Sequence, residues 1–435
     1  MMEEKSRIDN INFKRLLSSY FYWILFFFIL SSITAQVIPF IADFSPANEQ
    51  SSITIPKLPQ NLPVSYDVSD HLKSEKYNRP FIPGIIIVSI TIIIGLLMFI
   101  LSGVGETIEN KFGHGRWRWA ARCLFFFILY IVMYLLDMPY RVFNYFHCIA
   151  FELTDMSFLA WLKVLAIQFP VPLSIFVLKC LFIFCLFHLF NKRWWLVAAI
   201  LIFIFFKVTP EFFQNRPIDP ISILKPLEAG QHREQLENVS RLAGVKLDFL
   251  VTDHSKREKT VNIYLSGRAS NRYLTLTDTF LEKFSPSETG VALAHELGHK
   301  KNDIVFLILY KTLSLIYLLA GFLLAFFLTG RKKIEPSVRL KTVIVVLLCL
   351  CISNFLFLPA SGAISRLDER IADNYALELT RDADSFISLI VKGAKINLER
   401  LEVSPWEYFF FSDYPNLRER ISYAKKFNSS LKPKE

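Results

Sequence analysis

Long apolar segments dominate this chain and most restrict what it can fold into. An α-helix needs about 20 mostly apolar residues to cross a bilayer, and the 435-residue sequence holds seven apolar stretches near that length. They are residues 17–41, 81–104, 121–138, 167–190, 194–208, 304–329 and 342–360. The fifth stretch is the shortest. The pattern predicts a polytopic α-helical membrane protein with about seven transmembrane helices and the lipid bilayer as its surroundings.

Composition excludes two other classes. The net charge of +10 is carried largely by short basic segments beside apolar stretches, which is the usual pattern in membrane proteins, so no nucleic-acid partner is expected. The six cysteines form no C-x-x-C pair, and they predict neither a disulfide framework nor a zinc knuckle. Nothing in the sequence fixes an oligomeric state.

A short motif, AHELGH at residues 294–299, carries the chemistry. On a helix, His295 and His299 stand one turn apart on one face, so both imidazoles can reach one zinc ion. Glu296 falls beside them, placed to act on water rather than to bind the metal. The alternative is a solvated helix with two histidines. Ser285 and its capping-box glutamate, followed by an apolar run, favour a buried helix instead.

A second block of the sequence completes this site. Glu369 supplies a third zinc ligand and leaves the fourth position open, which is typical of a catalytic zinc. Asp373, one turn later, is predicted to bond the second nitrogen of a ligand histidine, the alternative being a surface salt bridge. Two apolar stretches separate the motifs and return the chain to the same side of the membrane. We therefore expect one Zn²⁺ per chain.

Four regions follow from this pattern. Residues 1–208 form an N-terminal transmembrane region of about five spans, and residues 209–302 the first half of a catalytic region with a small sheet and the zinc helix. Residues 303–360 form a transmembrane hairpin, and residues 361–435 the second half with a C-terminal tail. The fold class is thus a membrane helical protein with a small α+β zinc-metalloprotease region split around its last helix pair.

Sheet and loop residues are candidates for binding substrate. Alternation predicts strands near residues 245–251, 261–267 and 272–278, after a helix at 230–243. A sheet edge beside zinc can hold an extended peptide by strand addition, with Asn262 and Tyr264 as candidate substrate-binding residues or as ordinary strand residues. Candidates for a donor to the oxyanion are Tyr414, Arg418 and Arg420, any of which could instead pair on the surface.

These motifs together resemble the type I CAAX prenyl protease family of integral-membrane zinc metalloproteases. The resemblance rests on AHELGH (294–299), SRLDERIAD (365–373), DHSKREKTVNIYLSG (253–267) and NRYLTLTDTFL (271–281). It implies seven membrane helices around a water-filled chamber and cleavage of peptides, including C-terminally prenylated ones, near the membrane.

The resemblance also assigns roles. It implies zinc ligation by His295, His299 and Glu369, with Glu296 as base; Asp373 and Arg420 match its supporting positions. The family's usual His-Pro is Tyr414-Pro415 here, and Tyr414 is expected to replace the histidine by hydrogen bonding.

The expected function is that of a membrane-embedded zinc metalloendopeptidase acting on hydrophobic or lipidated peptides and proteins. The alternatives are a quality-control protease for membrane proteins, without prenyl specificity, and a transporter or sensor with structural zinc. The location is a bacterial inner membrane, or the endoplasmic reticulum in a eukaryote. The basic segments 1–16, 105–122 and 330–341 favour an outward-facing site, whereas the resemblance implies a cytosolic site, and the expectation follows the resemblance.

Overall fold

Membrane-length helices are the main feature of the computed structural model, which describes residues 62–205, 224–253, 258–267, 272–301, 303–330, 335 and 339–431. Five helical segments of the described residues are long and apolar enough to cross a membrane. They are Val68–Leu101, Arg118–Ala150, Phe158–Phe187, Ile304–Leu328 and Arg339–Thr380. These five match predicted stretches. The predicted span at 17–41 lies outside the described residues, and 194–208 contributes only a 10-residue helix, so a total of seven stays a prediction.

All secondary structure within the described residues 62–205 is helical. The helices are α1 (Val68–Asn78), α2 (Phe81–Leu101), α3 (Val104–Phe112), α4 (Arg118–Ala150), α5 (Phe158–Gln168), α6 (Pro170–Leu189) and α7 (Trp194–Phe203). Large side chains from these helices and from the later hairpin form one apolar core, in which Phe126, Trp194 and Phe322 are fully buried. The membrane helices therefore form a single packed body.

A four-stranded sheet follows. Its strands are β1 (Leu224–Pro226), β2 (Asp248–Thr252), β3 (Ile263–Ser266) and β4 (Tyr273–Thr277), in the order β1-β2-β4-β3, and α8 (Gln231–Leu242) lies between β1 and β2 in the chain. Strands β2 and β4 are parallel, whereas β1 and β3 pair antiparallel with their neighbours. The predicted helix and three strands are confirmed with shorter bounds. The sequence did not predict β1, which is only three residues long.

The remaining elements are helices. They are α9 (Asp278–Lys283), α10 (Pro286–Lys301), α11 (Asp303–Leu328), α12 (Arg339–Thr380), α13 (Ala383–Asn397), α14 (Pro405–Phe411) and α15 (Leu417–Leu431). Helix α10 packs against α8, α12 and α13, and its apolar residues Val291, Leu293 and Ala294 lie in a second core with the sheet. This packing fixes the helix that carries the histidine motif.

Helix α12 joins the membrane to the candidate site. It runs unbroken for 42 residues, a length of about 63 Å at 1.5 Å per residue. That is roughly twice the hydrocarbon thickness of a bilayer, so its C-terminal half projects beyond the membrane. The helix continues through the predicted region boundary at residue 360, and Glu369 and Asp373 lie on the projecting half.

Candidate metal centre

The start of α10 is fixed by a capping box. The Glu288 backbone N–H donates to the Ser285 hydroxyl at 3.3 Å, and the Ser285 N–H donates to the Glu288 carboxylate at 2.7 Å. Glu288 is only 3% exposed. It also forms an ion pair with Lys392 of α13 at 2.8 Å and a hydrogen bond with Ser388. The cap therefore both begins the helix and anchors it to its neighbour.

A close approach brings α10 and α12 together. A Cβ atom at Gly298 would lie 2.7 Å from Cα of Ala372, so no larger residue fits there without a shift. Gly298 is one residue before His299, and Ala372 is one residue before Asp373. The contact thus sets the distance between the histidines of one helix and the carboxylates of the other.

Three side chains meet at this contact with the spacing of a metal site. The Nε2 atoms of His295 and His299 are 3.2 Å apart. The Glu369 carboxylate oxygens lie 3.3 Å from Nε2 of His295 and 3.5 Å from Nε2 of His299. Tetrahedral zinc with bonds of about 2.0–2.1 Å needs ligand atoms about 3.3–3.4 Å apart. The two Nε2 atoms and the Glu369 carboxylate therefore have separations close to those of a zinc site.

Other features of the pocket also suit a cation. Oε2 of Glu369 is buried and makes no well-oriented hydrogen bond with any described residue. Burial alone would lower the pKa of His295, but its contacts with Asp373 and Glu369 outweigh burial and raise the pKa to about 10. The pocket therefore favours a positive charge, as a proton on His295 or as a metal ion.

A carboxylate stands behind each imidazole. Nδ1 of His295 lies 3.0 Å from Asp373, and Nδ1 of His299 lies 3.1 Å from Asp368. Such contacts fix the tautomer and the ring orientation of a ligand histidine. The sequence pointed to Asp373 but not to Asp368, which directly precedes the candidate ligand Glu369.

Arg420 contacts the site through Asp373, the carboxylate beside His295. Its guanidinium donates two hydrogen bonds to Asp373, at 2.8 and 2.6 Å. Burial disfavours the charged guanidinium, but Asp373 outweighs burial and raises the pKa of Arg420. With both donors directed to Asp373, Arg420 influences the site through that carboxylate. Arg418, the other arginine considered from sequence, pairs with Glu402 at the surface.

Glu296 lies beside the three candidate ligands. The nearest ligand atoms of Glu296 and the two histidines are all within 4.8 Å of one another. Its carboxylate accepts a hydrogen bond from the backbone N–H of Leu265 at 3.3 Å, and burial raises its pKa. Glu369 contacts both imidazole nitrogens, at 3.3 and 3.5 Å, which leaves Glu296 beside the candidate ligands in a position to act on water.

Strand β3 forms the edge of the sheet beside Glu296. The Thr277 N–H donates to the Asn262 carbonyl, so Asn262 pairs directly with β4, and alternation gives Tyr264 the same direction. The outward backbone groups of β3 instead belong to Ile263 and Leu265. A role of the Asn262 and Tyr264 side chains in binding substrate stays a prediction.

Tyr414 lies on a segment that Arg366 holds in place. The Arg366 guanidinium donates to the carbonyls of Tyr408, at 2.9 Å, and Ser412. The Ser412 hydroxyl in turn donates to the Tyr414 carbonyl at 2.8 Å. Tyr414 is 60% exposed, yet partial desolvation and the negative charge of Glu369 raise its pKa to about 12. Its hydroxyl is therefore protonated at neutral pH and available as a donor.

A cavity that both apolar and polar side chains line lies between the membrane helices α11 and α12. Its volume is about 420 Å³. The polar side chains that line it are Tyr310, Lys311, Ser314, Tyr317, Asn354 and Ser361. Polar groups inside membrane spans usually face a protein interior or a water-filled space. Helices α11 and α12 therefore present several polar groups to one cavity in the half of the fold that carries the candidate metal centre.

Comparisons with known proteins agree with this geometry. Residues 226–428 match the model of peptidase family M48. The chain is 26% identical over 312 residues to the uncharacterized metalloprotease YhfN of Bacillus subtilis, covering 69% of this chain and 72% of that one. It is 29% identical over 221 residues to CAAX prenyl protease 1 of Saccharomyces cerevisiae, covering 45% and 48%.

A solved structure shares the fold. The crystal structure of S. mikatae Ste24p superposes with a TM-score of 0.69 over 92% of this chain and 98% of that one, at 19% identity. The resemblance to the CAAX prenyl proteases is confirmed.

Proposed function

We propose, because residues 226–428 match the model of peptidase family M48, that the chain is a membrane-embedded zinc metalloendopeptidase. The observation that carries the proposal is that the Nε2 atoms of His295 and His299 and the Glu369 carboxylate meet at separations of 3.2–3.5 Å beside the buried carboxylate of Glu296. A structural zinc site would have four protein ligands and no need of such a carboxylate. This difference disfavours a transporter or sensor with structural zinc.

Each residue of the centre receives a role in the proposal. His295, His299 and Glu369 hold the ion, while Asp373 and Asp368 orient the two imidazoles. Zinc would supply Lewis acidity, polarising the scissile carbonyl and making water acidic enough to attack near neutral pH. Arg420 is a positioning residue, because its contacts run through Asp373.

Proton transfer is assigned to Glu296. We propose that it accepts the proton of the attacking water and delivers it to the leaving amide nitrogen. The raised pKa of Glu296 suits this exchange, because a carboxylate of ordinary pKa is a weaker base at neutral pH. Tyr414, protonated at neutral pH, is proposed as a hydrogen-bond donor to the developing oxyanion.

The proposed substrates are hydrophobic or lipidated peptides and proteins at the membrane, including CAAX-type ones. Support comes from the name of the yeast relative, CAAX prenyl protease 1, and from the cavity between α11 and α12, whose lining includes Leu307, Phe357 and Leu358. A quality-control role without prenyl specificity is the alternative. Comparing a prenylated peptide with the same peptide lacking the lipid distinguishes the two, because only the first role predicts faster cleavage of the lipidated form.

The finer architecture is also a proposal. We propose that residues 17–41 and residues 194–208 form two further spans, which makes seven in all. The catalytic region is split around α11 and α12. We propose that the site faces the cytosol, as the resemblance implies. Basic residues at the far ends of the helices, such as Arg116 and Arg193, favour the opposite orientation.

Two experiments test the proposal. Purified protein in lipid nanodiscs should hydrolyse a peptide, lose activity to a chelator and regain it with Zn²⁺; activity that survives complete zinc removal would contradict it. For orientation, a cysteine at the exposed position 116, in a background without other cysteines, should react with impermeant reagent from outside the cell. Labelling only after the cytosolic face is opened would reverse the proposed orientation.

A further inference from the structure

The open edge of β3 is shorter than the strand suggests. Three backbone positions, Val261, Ile263 and Leu265, alternate with the residues that pair with β4 and so face away from the sheet. At Leu265 the outward N–H reaches Glu296 at 3.3 Å, and at Ile263 it donates to the Asn262 side-chain oxygen at 3.0 Å, an exposed bond that an added strand would replace. At the other end, both outward groups of Val261 are already bonded.

Asn397 makes both of those bonds. Its side-chain oxygen accepts from the Val261 N–H at 2.9 Å, and its side-chain nitrogen donates to the Val261 carbonyl at 3.2 Å. One amide thus makes the same pair of hydrogen bonds that an added strand would make at this position. No strand can pair with Val261 while Asn397 remains there.

The position of Asn397 is itself fixed. It is the last residue of α13, and the next residue, Leu398, adopts a left-handed conformation with φ of +56°. This conformation is uncommon for a branched residue and persists only where the surroundings hold it. The Asn78 side chain holds it here, donating to the Leu398 carbonyl at 2.5 Å. The fold therefore holds Asn397 in the position from which it occupies both outward backbone groups of Val261.

The number of substrate residues that fit between the cleaved bond and Asn397 follows from the spacing of residues in β3. Leu265 is in contact with Glu296, so the bond to be cleaved lies opposite that end of β3. Val261 is four residues away, about 13 Å at ~3.3 Å per residue. A peptide on this edge therefore has room for about three residues between the cleaved bond and Asn397.

We propose that Asn397 is a specificity-determining residue that ends the peptide-binding edge. The inference rests on the proposed function and adds a limit to it. Antiparallel addition, the commoner pairing, directs the substrate residues that follow the cleaved bond towards Val261. About the first three substrate residues after the cleaved bond can pair with the backbone of β3, and later residues must leave the sheet.

A peptide series tests the limit. All members share one sequence up to the cleaved bond and carry one to eight residues after it, with amidated C-termini so that the end charge is constant. For the wild type, kcat/KM should rise over the first few residues and then stop rising beyond about the third. For Asn397→Ala it should continue to rise, by about tenfold, the value of two ordinary hydrogen bonds.

Controls separate specificity from stability. Asn397→Ser has a side chain too short to make both hydrogen bonds to Val261, and it replaces the alanine variant if that variant does not fold. Asn416→Ala removes a comparable amide, one that accepts from the Val403 N–H away from β3, and should keep the wild-type length profile. A second series, extended before the cleaved bond, should respond equally in the wild type and in Asn397→Ala.

The outcomes are distinct. A wild type that gains with every added residue, or an Asn397→Ala variant with an unchanged length profile, overturns the inference and leaves the proposed function standing. A change confined to the series extended before the cleaved bond also overturns it, because the peptide would then run parallel to β3. Absence of any zinc-dependent cleavage by the wild type overturns the proposed function and this limit with it.

Discussion

Nδ1 of His299 lies 3.1 Å from Oδ2 of Asp368. The second imidazole of the motif is therefore held by a carboxylate of its own, on the same helix as Glu369. Both candidate histidine ligands are oriented in this way, because Asp373 lies 3.0 Å from Nδ1 of His295. Pairing of this kind raises the basicity of a ligand and reduces the freedom it loses on binding metal.

Asp368→Asn should weaken zinc binding while leaving the fold intact. Loss of a carboxylate behind a ligand histidine typically lowers metal affinity by about 10–100-fold. Competition with a fluorescent chelator measures the change. Glu378→Gln is a control, because Glu378 lies farther along α12 and accepts a hydrogen bond from Asn374 instead of from a candidate ligand. Equal zinc affinities for Asp368→Asn and the control would contradict the assignment.

Replacing Arg420 by methionine should destabilise the protein. The change removes the arginine partner of Asp373, which is only 2% exposed, and leaves it the His295 imidazolium alone; breaking a buried pair costs about 3–5 kcal/mol. Thermal denaturation of the metal-free protein in detergent reports the loss. The matched variant Arg418→Met breaks the half-exposed pair with Glu402 and should cost less than about 1 kcal/mol. Similar losses for both variants would be inconsistent with a buried Arg420–Asp373 pair.

Gly298→Ala tests the contact between α10 and α12. The added methyl group would lie 2.7 Å from Cα of Ala372, and relieving such overpacking typically costs about 1–3 kcal/mol. Because the shift would also separate the histidines from Glu369, zinc affinity should fall together with stability. Gly393→Ala, on α13, meets no heavy atom within 4 Å and should be neutral or stabilising. A neutral Gly298→Ala would argue against the close approach.

Zinc binding should release a proton at neutral pH. The pKa of His295 in the metal-free protein is about 10, so this imidazole is protonated at pH 7 and must lose its proton to bind metal. Apparent zinc affinity should therefore rise as pH increases from 7 towards 10, by up to about tenfold per unit. Calorimetry in buffers of different ionisation enthalpy counts the protons. An affinity independent of pH between 7 and 9 would contradict the shift.

Local signals in the sequence predicted a large part of this arrangement. The capping box at Ser285 and Glu288 marked the start of α10, and alternation located the three longer strands. The spacing of His295 and His299 set both rings on one face. An even number of crossings also predicted that Glu369 would return to them, and the structure brings these residues together.

Features that depend on distant contacts could not be predicted. Asn397 meets Val261 across 136 positions of the chain, and nothing in its local sequence distinguishes it from any helix-ending asparagine. The unbroken α12 was unexpected because the sequence changes from apolar to polar near residue 360, where Pro359 also lacks a backbone N–H, yet the helix continues through the change. Asp368 was missed because it stands among other charged residues of the helix, and only the position of His299 identifies it.

The most direct test of the account is the Glu296→Gln variant, measured for zinc content and peptide hydrolysis together. Glutamine keeps the size of the side chain and an oxygen for the Leu265 N–H, but it cannot accept the proton of water. We predict one zinc per chain, as in the wild type, and a kcat lowered by about 10²–10⁴-fold. A variant that retains zinc and hydrolyses the peptide within about tenfold of the wild-type rate would contradict the central claim.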